Sequence, residues 1–546
     1  MVEPAPALEE PGGFLVDNEK RFSESIIWRL QRQYYDANGP AAWTTGTVPS
    51  YATSNPYIAQ VYAKVVFTYL RDALAIRQNG HGAGSALDPK QPVYIVELGS
   101  GSGRFSFLFL KKFNELKKAS SLRGLDCRYV MTDFTAHNLK AWSAQPLYKP
   151  FLASGQLDFG TFDVDVDHEI KLVGGGVLSA ETVKNPLVVL ANYAFDTFPE
   201  DLFRIESGKI SEVRVTIKSP QPHEPDPTKP EIMQQFKSRY TFHPIAGDYY
   251  PDPELNRILD HYRKRLADTF LIIPVGGFTA VRRLLEISQR RMLLLSSDKG
   301  YTHEDELSFL PGQGIQFHGG ALSMMVNYHA LGQYFTNQGG VYACTSQRMV
   351  NLKTAACILG GDAEQFADTI LTFREHADVF TPNDYFTLVN FERNDCPNMS
   401  LEHFLGLMKV SHFDPKVVLL FGKDVLAHLP NATELALFEL RLALERAWEN
   451  FFPMGEDLPF LLGRFFLGLK RPQDGIRFNQ RSVEMFGDNP ATYANMGMCF
   501  HYAEDPDSAL GAFNRALELN PDFEVAKAWR VRALAELERV KASRRD

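Results

Sequence analysis

The chain has 546 residues, of which 45% are hydrophobic and 23% charged, a composition typical of a globular protein with two or three domains. Its 57 basic and 66 acidic residues leave a net charge of −9, which argues against a broad nucleic-acid-binding surface. No apolar run approaches the ~20 residues of a membrane helix, so we predict no membrane helix. The acidic N-terminus lacks the features of a signal peptide, so we predict no signal peptide.

The five cysteines are scattered along the chain and form no C-x-x-C pair. This spacing favours a reducing compartment over a disulfide framework or a zinc site, so we expect a cytoplasmic protein without a bound metal. The run His303–Glu306 is interpreted as a solvated acidic turn. The cysteines are Cys127, Cys344, Cys357, Cys396 and Cys499.

Residues 1–90 are predicted to be an N-terminal helical lid or cap. Residues 1–20 are expected to be a loose acidic tail, and the apolar spacing of Phe22–Tyr35 predicts a helix. A second helix is predicted to begin near Pro56, which suits a first helical turn, and Ser54 or Asn55 can cap it. A glycine-rich linker, His81–Asp88, leads to the first strand of the next domain.

The segment Val93–Leu110 predicts a strand, a glycine turn and a helix, in that order. A dinucleotide-binding turn would need a third glycine three residues after the second, and Arg104 occupies that position. The observed G-x-G-x-G spacing, with an acidic residue two positions before it, resembles motif I of the class I S-adenosylmethionine (SAM) methyltransferases. The resemblance implies a turn that packs on the methionine part of SAM and an acid near its ammonium group; a turn with another ligand, or none, stays open. The implied cofactor contacts are Glu97, Gly99, Ser100, Gly101 and Gly103.

Two further acids are candidates for binding the adenosine part of SAM. The second strand, Cys127–Asp133, ends in an acid, and a carboxylate at this position of a doubly wound sheet can accept both ribose hydroxyls. The third predicted strand, Phe159–Asp167, contains Asp163, which could accept from the adenine amino group.

The loop Asn192–Phe198 follows a buried strand, Leu187–Ala191, and should face the glycine turn, because ligands bind at the carboxyl ends of such strands. Its aromatic faces could attract a sulfonium centre. Asn192 is a predicted polar contact on the cofactor side, and together with Tyr193 and Asp196 it is predicted to face the methyl acceptor.

Beyond this loop we predict a hairpin turned at Ser207–Gly208, a proline-rich surface insertion over residues 218–231, and a strand at Met292–Ser296. Residues 91–400 are therefore predicted to form a Rossmann-like α/β domain, with a doubly wound sheet and helices on both faces.

Four segments together resemble the MidA-like methyltransferase family, which includes a mitochondrial complex I assembly methyltransferase. They are Glu97–Gly103, Ala191–Pro199, Ser297–Tyr301 and Met325–Leu331, and Thr53–Tyr57 resembles the family's loop ahead of the glycine motif. Members of this family are implicated in methylating protein arginine. The family's loop reads Asn-Glu-x-x-Asp, whereas this chain has Tyr193 in place of the glutamate.

Residues 401–546 are predicted to be helical throughout and to include tetratricopeptide repeats. Tyr493, Gly497, Phe513 and Pro521 fall on tetratricopeptide positions within one 34-residue unit, and the unit before it matches more weakly. Such repeats can form a docking groove for a protein partner, a homodimer contact or a helical buttress.

The sequence therefore predicts a SAM-dependent methyltransferase, with O-methylation of a small carboxylic acid or phenol as the favoured reaction. One alternative is a protein arginine methyltransferase that recruits its substrate through the repeats. Another is a non-catalytic SAM-binding adaptor that acts through them. We expect no nucleic-acid partner.

Overall fold

The computed structural model describes residues 13–44, 48, 50–78, 86–224, 226, 228–308, 310, 315–318, 320–350, 352–395 and 399–543. The chain divides into two compact units, Met1–Asp384 and Tyr385–Asp546. Cys396, Pro225, Pro227, residues 81–85 of the predicted linker and residues 1–12 of the predicted tail lie outside the described residues. None of the described helices combines the length and the apolar character needed to cross a bilayer.

In the described part of the first unit, 17 strands form three sheets. They are β1 (Phe14–Arg21), β2 (Val93–Leu98), β3 (Cys127–Asp133), β4 (Leu157–Thr161), β5 (Ile170–Leu172), β6 (Val177–Leu178), β7 (Leu187–Asn192), β8 (Asp201–Glu206), β9 (Lys209–Ser219), β10 (Lys237–Pro244), β11 (Asp268–Ile273), β12 (Met292–Tyr301), β13 (Gln316–His318), β14 (Ala321–Ser323), β15 (Val326–Asn327), β16 (Val341–Cys344) and β17 (Leu352–Leu359).

The described part of this unit also contains the following α-helices. They are α1 (Ile26–Asn38), α2 (Ala41–Thr44), α3 (Pro56–Gln78), α4 (Arg104–Lys118), α5 (Ala136–Ala144), α6 (Lys149–Ala153), α7 (Pro253–Arg265), α8 (Val275–Ile287), α9 (Tyr328–Thr336) and α10 (Ala367–Phe373). A further helix, α11 (Pro382–Asp395), runs across the division between the two units.

The central sheet has the strand order β16-β17-β12-β7-β2-β3-β4-β5-β6, and β15 pairs with β12. The five strands from β12 to β4 are parallel to one another, whereas β17 is antiparallel to β12. The chain moves from β2 outward to β3 and β4, then returns to β7 and moves outward to β12 on the other side. The strand order therefore reverses between β2 and β7, which is where open α/β sheets bind their ligands.

Helices cover both faces of this sheet, as the sequence predicted. Val130 on β3 faces a buried cluster that includes residues of α8 and α9. The preceding residue, Tyr129, points to the other face and packs against Phe109 of α4, with ring centroids 5.3 Å apart. The alternation of side chains along a strand thus buries both faces, which explains the continuous apolar character of these segments.

A second, antiparallel sheet has the order β1-β9-β8-β11, and β10 also pairs with β9. The predicted hairpin is confirmed as β8 and β9. The prediction of a loose tail is wrong for residues 14–20, because β1 pairs along β9. The strand β10 was missed, so the proline-rich insertion is the connection between two paired strands.

Helix α1 links this second sheet to the central one. Its apolar residues Ile27, Trp28 and Leu30 pack in a buried cluster with side chains of β8 and β9. On the same helix, Gln31 donates from Nε2 to the carbonyl oxygen of Thr197 (3.0 Å) and accepts at Oε1 from the backbone N–H of Leu322 (3.0 Å). These contacts hold α1 beside the loop that follows β7.

The second unit is helical in its described part, as predicted. Gly475 and Gly497 lie where helices approach closely, because an added Cβ would lie 2.6 Å from Cys499 Sγ and 2.6 Å from Phe513 respectively. These close approaches explain the small residues of the repeat pattern. The helices are α12 (Leu401–Val410), α13 (Pro415–His428), α14 (Glu434–Glu449), α15 (Leu458–Gly468), α16 (Pro472–Phe486), α17 (Pro490–Tyr502), α18 (Pro506–Leu519) and α19 (Glu524–Ser543).

Candidate active site

A cleft with about 1130 Å³ of empty space, part of it open to solvent, lies at the carboxyl ends of the parallel strands. Three groups of residues line it. The β3 end comprises Leu98, Gly99, Thr132, Asp133, Phe134, Asn138, Phe162, Asp163 and Val164. The β12 end comprises Tyr193, Ala194, Asp196, Thr197, Phe198, Lys299, His318, Leu322 and Ser323. The cap comprises Gln31, Arg32, Tyr35, Trp43 and Val48.

The glycine turn between β2 and α4 has a left-handed backbone at all three glycines. The φ angles are 58° at Gly99, 53° at Gly101 and 82° at Gly103, a region that side chains with a Cβ adopt only at a cost. Buried donors fix the turn from the side: Trp142 Nε1 donates to the Gly101 oxygen (2.8 Å) and the Tyr148 hydroxyl donates to the Gly103 oxygen (2.7 Å).

The surroundings of Gly99 and Gly103 differ. A Cβ added at Gly103 would lie 2.2 Å from the Tyr148 hydroxyl, so packing alone excludes a side chain there. A Cβ added at Gly99 would meet no atom of the described residues within 4 Å, apart from its two chain neighbours, and Gly99 lines the cleft. The open space beside the Gly99 backbone therefore suits a ligand that contacts the turn closely.

Glu97 is 4% exposed and points into the interior, away from its expected ligand. Its Oε2 accepts hydrogen bonds from the hydroxyls of Ser106 on α4 and Tyr129 on β3. Burial raises the pKa of Glu97 to about 7, although these hydrogen bonds lower it in part. Neither Glu97 nor Ser100 is among the residues that line the cleft, and their contacts with SAM stay predictions. Glu97, on β2, therefore links β3 to α4, the helix that follows the glycine turn.

Asp133 ends β3 and lines the cleft, as its predicted role requires. It is 6% exposed, and burial raises its pKa. Its Oδ1 accepts from the backbone N–H of Thr135 (2.9 Å) and its Oδ2 from Asn138 Nδ2 (2.7 Å). Asn138 also lines the cleft, and its buried Oδ1 has no hydrogen-bond partner among the described residues. This amide oxygen is therefore available to a donor on a ligand.

Asp163 lies two residues beyond the end of β4 and also lines the cleft. Arg32 of α1 pairs with it and with Asp165 (3.0 Å), and the Arg32 guanidinium lies over the ring of Phe134, 4.4 Å from its centroid. A cation of the cap thus covers the β3 end of the cleft, and Asp163 already has a charged partner.

Asn192 does not line the cleft, in contrast to Tyr193. Its Oδ1 accepts from the Tyr62 hydroxyl (2.8 Å), and its Nδ2 donates to the carbonyl oxygen of Thr53 (3.3 Å). Asn192 therefore ties β7 to α3 and to the Thr53–Tyr57 loop. The geometry assigns it a positioning role, and a direct contact with cofactor or acceptor stays untested.

Tyr193 has a φ angle of 48°, an uncommon conformation for a residue with a side chain. Its backbone N–H donates to the carbonyl oxygen of Ser297 on β12 (3.0 Å), which holds the turn in place. Burial and the nearby carboxylates raise the pKa of the Tyr193 phenol, so this group stays protonated at neutral pH. Its hydroxyl has no hydrogen-bond partner within the described part of the chain.

Asp196 belongs to a cluster of three buried carboxyl groups with Asp298 and Glu200, which are 5%, 0% and 0% exposed. Asp298 Oδ2 accepts from the Asp196 backbone N–H (3.1 Å). Burial and the charges of Asp196 and Glu200 raise the pKa of Asp298 well above its usual value, which favours its protonated form. Burial likewise raises the pKa of Glu200 well above its ordinary value.

Within this cluster Asp196 is the group that ionises most readily. Burial raises its pKa to about 7, and the charge of Lys299 and a hydrogen bond with Asp298 limit the rise. Asp196 Oδ1 is buried, and in the described structure no group donates a hydrogen bond to it. A carboxyl group with a pKa near neutrality and a free oxygen in a cleft is suited to accept a proton.

The sequence reasoning missed Asp298 and Glu200. Asp298 lies in β12, which extends beyond the predicted strand Met292–Ser296, and an acid near the carboxyl end of a strand is the same signal that identified Asp133. Glu200 carries no such signal, because only the packing of the loop after β7 buries it.

The segment His303–Glu306 also differs from its prediction as a solvated acidic turn. The Glu306 side chain is 6% exposed and pairs at 2.6 Å with Lys353, which is 1% exposed. Over the described residues, no three or more His, Cys, Asp or Glu side chains are grouped so as to hold a metal ion.

Comparison with known proteins places this fold and cleft in a family. Residues 83–341 match the profile of a family described as "Putative S-adenosyl-L-methionine-dependent methyltransferase". Residues 490–523 match the tetratricopeptide repeat. Both resemblances that the motifs suggested are confirmed: residues 83–341 match a SAM-dependent methyltransferase family, for which SAM is the cofactor, and a tetratricopeptide repeat follows in the same chain. A comparison with curated proteins found no match.

Two crystal structures of proteins from Burkholderia thailandensis are similar to the chain. One is an uncharacterized superfamily protein, and the other is a member of the same superfamily with S-adenosyl-homocysteine bound. Each is 14% identical and covers 65% of this chain, with a TM-score of 0.37. The matches span 90% and 91% of the two crystallised chains.

Proposed function

We propose that the protein transfers a methyl group from SAM to the hydroxyl of a phenol-type acceptor, and that Asp196 takes the acceptor's proton. One observation carries this proposal: an ionisable buried carboxyl group with a free oxygen lines the same cleft as the glycine turn. The family match supports the reaction class, and the chemistry of the β12 end supports the acceptor.

The β3 end has the groups that SAM needs. The open space at Gly99 lets the cofactor approach the backbone, and Asp133 can accept from both ribose hydroxyls. The free Asn138 Oδ1 can accept from a further donor, while Phe134 and Phe162 offer apolar walls for the adenine ring. SAM supplies a methyl group on a positively charged sulfur.

The β12 end would then position the acceptor and remove its proton. The acceptor oxygen forms a bond to the methyl carbon as the bond from carbon to sulfur breaks, and the hydroxyl proton passes to Asp196. Asp298, in the protonated form that its raised pKa favours, can stabilise the Asp196 carboxylate before the transfer. Positioning in a site shielded from water supplies most of the rate enhancement in such a displacement.

The acidic cluster discriminates between the two acceptors that the sequence favoured. A carboxylic acid is ionised at neutral pH and needs no proton acceptor, and its reacting anion would be repelled by the Asp196 carboxylate. A phenol keeps its proton until the reaction, so it benefits from a nearby base.

Protein arginine is a second candidate acceptor. A carboxylate can orient a guanidinium and localise its charge, and Asp196 is such a group in the cleft. Under this alternative the tetratricopeptide repeat would recruit the substrate protein. A protein partner, a homodimer contact and a buttress all remain predictions for the repeats.

Calorimetric titration with SAM and S-adenosylhomocysteine tests the cofactor site. Asp133→Ala should lower the affinity for both ligands at least tenfold, because it removes a carboxylate that would accept hydrogen bonds from two hydroxyls. Asp126→Ala is the matched control, since Asp126 precedes β3 at the opposite edge of the sheet. No binding by the intact protein would refute the proposed function.

Transfer of a labelled methyl group to phenols, carboxylic acids and arginine peptides then tests the reaction. We expect phenols to be methylated and Asp196→Asn to lose at least 100-fold in rate, in line with the usual contribution of a general base. Labelled peptide alone would favour the arginine alternative. Cofactor binding with no transfer to any acceptor would favour the adaptor.

A further inference from the structure

The β12 end of the cleft contains a lysine, Lys299, that forms no ion pair with any carboxylate of the described residues, although its charge acts on Asp196. Lys299 lies in β12 directly after Asp298, and its Nζ donates to the amide oxygen of Gln316 (2.9 Å). In the described part of the chain no carboxylate lies within ion-pair distance of this ammonium group. An ammonium in a partly buried cleft with only a neutral partner retains attraction for an anion.

Two neutral donors lie beside this ammonium group. His318 and Ser323 line the same end, and His318 Nε2 lies 3.2 Å from Ser323 Oγ. Burial and the nearby Lys299 charge lower the pKa of His318, so its ring is neutral at physiological pH. Lys299 therefore supplies one positive charge, and its neighbours supply one hydrogen bond.

The β12 end thus has two chemically opposite sides. Asp196 lies on the acidic side, and Lys299 lies on the cationic side. The apolar side chains of Phe198 and Leu322 line the same end, together with the Tyr193 ring. A ligand that matches this arrangement has a proton donor, an apolar or aromatic body and an anionic group.

We propose that the acceptor is a small aromatic molecule that carries both a hydroxyl and a carboxylate. Its carboxylate pairs with Lys299 and accepts one hydrogen bond from the His318–Ser323 pair, and its hydroxyl faces Asp196. This inference rests on the proposed function and specifies the substrate class of the same site.

A single carboxylate fits these residues better than a phosphate does. Lys299 is the only described lysine or arginine at the β12 end, and it balances one negative charge. A phosphate dianion would leave one charge uncompensated in a site that already contains the acidic cluster. The cap limits the size of the ligand, because Gln31 bridges Thr197 and Leu322 over this end.

The test measures binding of matched probes to the full-length protein saturated with S-adenosylhomocysteine. The probes are 4-hydroxybenzoate, its neutral analogue 4-hydroxybenzamide and 4-hydroxyphenyl phosphate. We expect 4-hydroxybenzoate to bind at least tenfold more tightly than either of the others, because one charge-assisted pair is worth about that factor. Lys299→Gln should remove the preference for the carboxylate, and methylation of 4-hydroxybenzoate should show a raised KM with a smaller change in kcat.

Lys209→Gln is the control, since Lys209 is exposed at the tip of the β8–β9 hairpin, and it should leave the preference intact. Several results overturn the proposal: equal binding of acid and amide, tighter binding of the phosphate, no binding of any probe, or a preference that persists in Lys299→Gln. In each case the bound S-adenosylhomocysteine shows that the cofactor site is intact. Failure of S-adenosylhomocysteine to bind would instead refute the proposed function, and this inference with it.

Discussion

Replacement of Gly99 by alanine is expected to weaken cofactor binding while the protein stays folded. The residue has a φ angle of 58°, so an alanine there costs about 1–2 kcal/mol of stability from left-handed strain. Apart from the two chain neighbours, no atom of the described residues lies within 4 Å of the added methyl group, so overlap with them adds nothing to this cost. The methyl group enters the space that the cofactor would use.

The cost to binding follows from the same geometry. A methyl group in this space separates the ligand from the turn and removes close contacts with the backbone. We expect a loss of at least tenfold in affinity for S-adenosylhomocysteine, or about 1.4 kcal/mol. Gly103→Ala has a different expected outcome, since its Cβ would displace the buried Tyr148 hydroxyl, adding roughly 1–3 kcal/mol to the strain.

Urea unfolding and calorimetric titration measure the two effects separately. Gly208→Ala is the matched control: its φ angle is 73°, an added Cβ meets no atom within 4 Å, and it lies in the β8–β9 hairpin. Gly99→Ala and Gly208→Ala should lose similar stability, but only the first should lose affinity. Unchanged binding of S-adenosylhomocysteine by Gly99→Ala would refute the placement of the cofactor on this turn.

Three further outcomes follow from the acidic residues Asp196, Glu200 and Asp163. The rate of methyl transfer should rise with pH through about 7, because Asp196 must be ionised to take a proton and burial raises its pKa to that value; a flat profile between pH 6 and 8 would contradict this role. Glu200→Gln should make stability less dependent on pH, since the folded protein keeps a proton that the unfolded chain, with a pKa of 4.5, releases. Wild-type stability should therefore fall relative to the variant by about 1.4 kcal/mol per pH unit above that value, measured by urea unfolding, and equal slopes would exclude a buried protonated Glu200. Asp163→Ala should lower the affinity for S-adenosylhomocysteine less than Asp133→Ala does in calorimetric titration, because Asp163 is already paired with Arg32. A larger loss for Asp163→Ala would contradict the view that Asp133 is the more important contact.

Much of the central sheet could be predicted because its signals are local. The strand that ends at Leu98, the glycine spacing and the helical spacing of Phe105 and Phe109 all lie within one short segment. The repeat helices of the second unit have a pattern of the same kind. The strands β1 and β10 were missed, because each is specified by pairing with β9 rather than by its own alternation.

The candidate site was likewise predictable only where the signal is local in the sequence. Asp133, Tyr193 and Asp196 line the cleft, and the rule that places strand ends at a ligand site could identify them from strand positions alone. Their roles stay predictions. Glu97 and Asn192 have the residue types expected of ligand contacts, yet Glu97 bonds to Tyr129 and Asn192 to Tyr62. Their partners lie 32 and 130 residues away in the chain, and no local pattern shows them.

The sequence by itself determined the α/β class, the glycine turn, the SAM-dependent family and the tetratricopeptide repeat, because each depends on residues close together in the chain. The tertiary structure alone decided which acids are buried and which distant segments of the chain come into contact. It brought Asp298 from β12 against Asp196 from the β7 loop, and it placed Lys299 at the same end of the cleft. The protonation of these carboxyl groups depends on burial and on each other's charge, and both arise only when distant segments pack together.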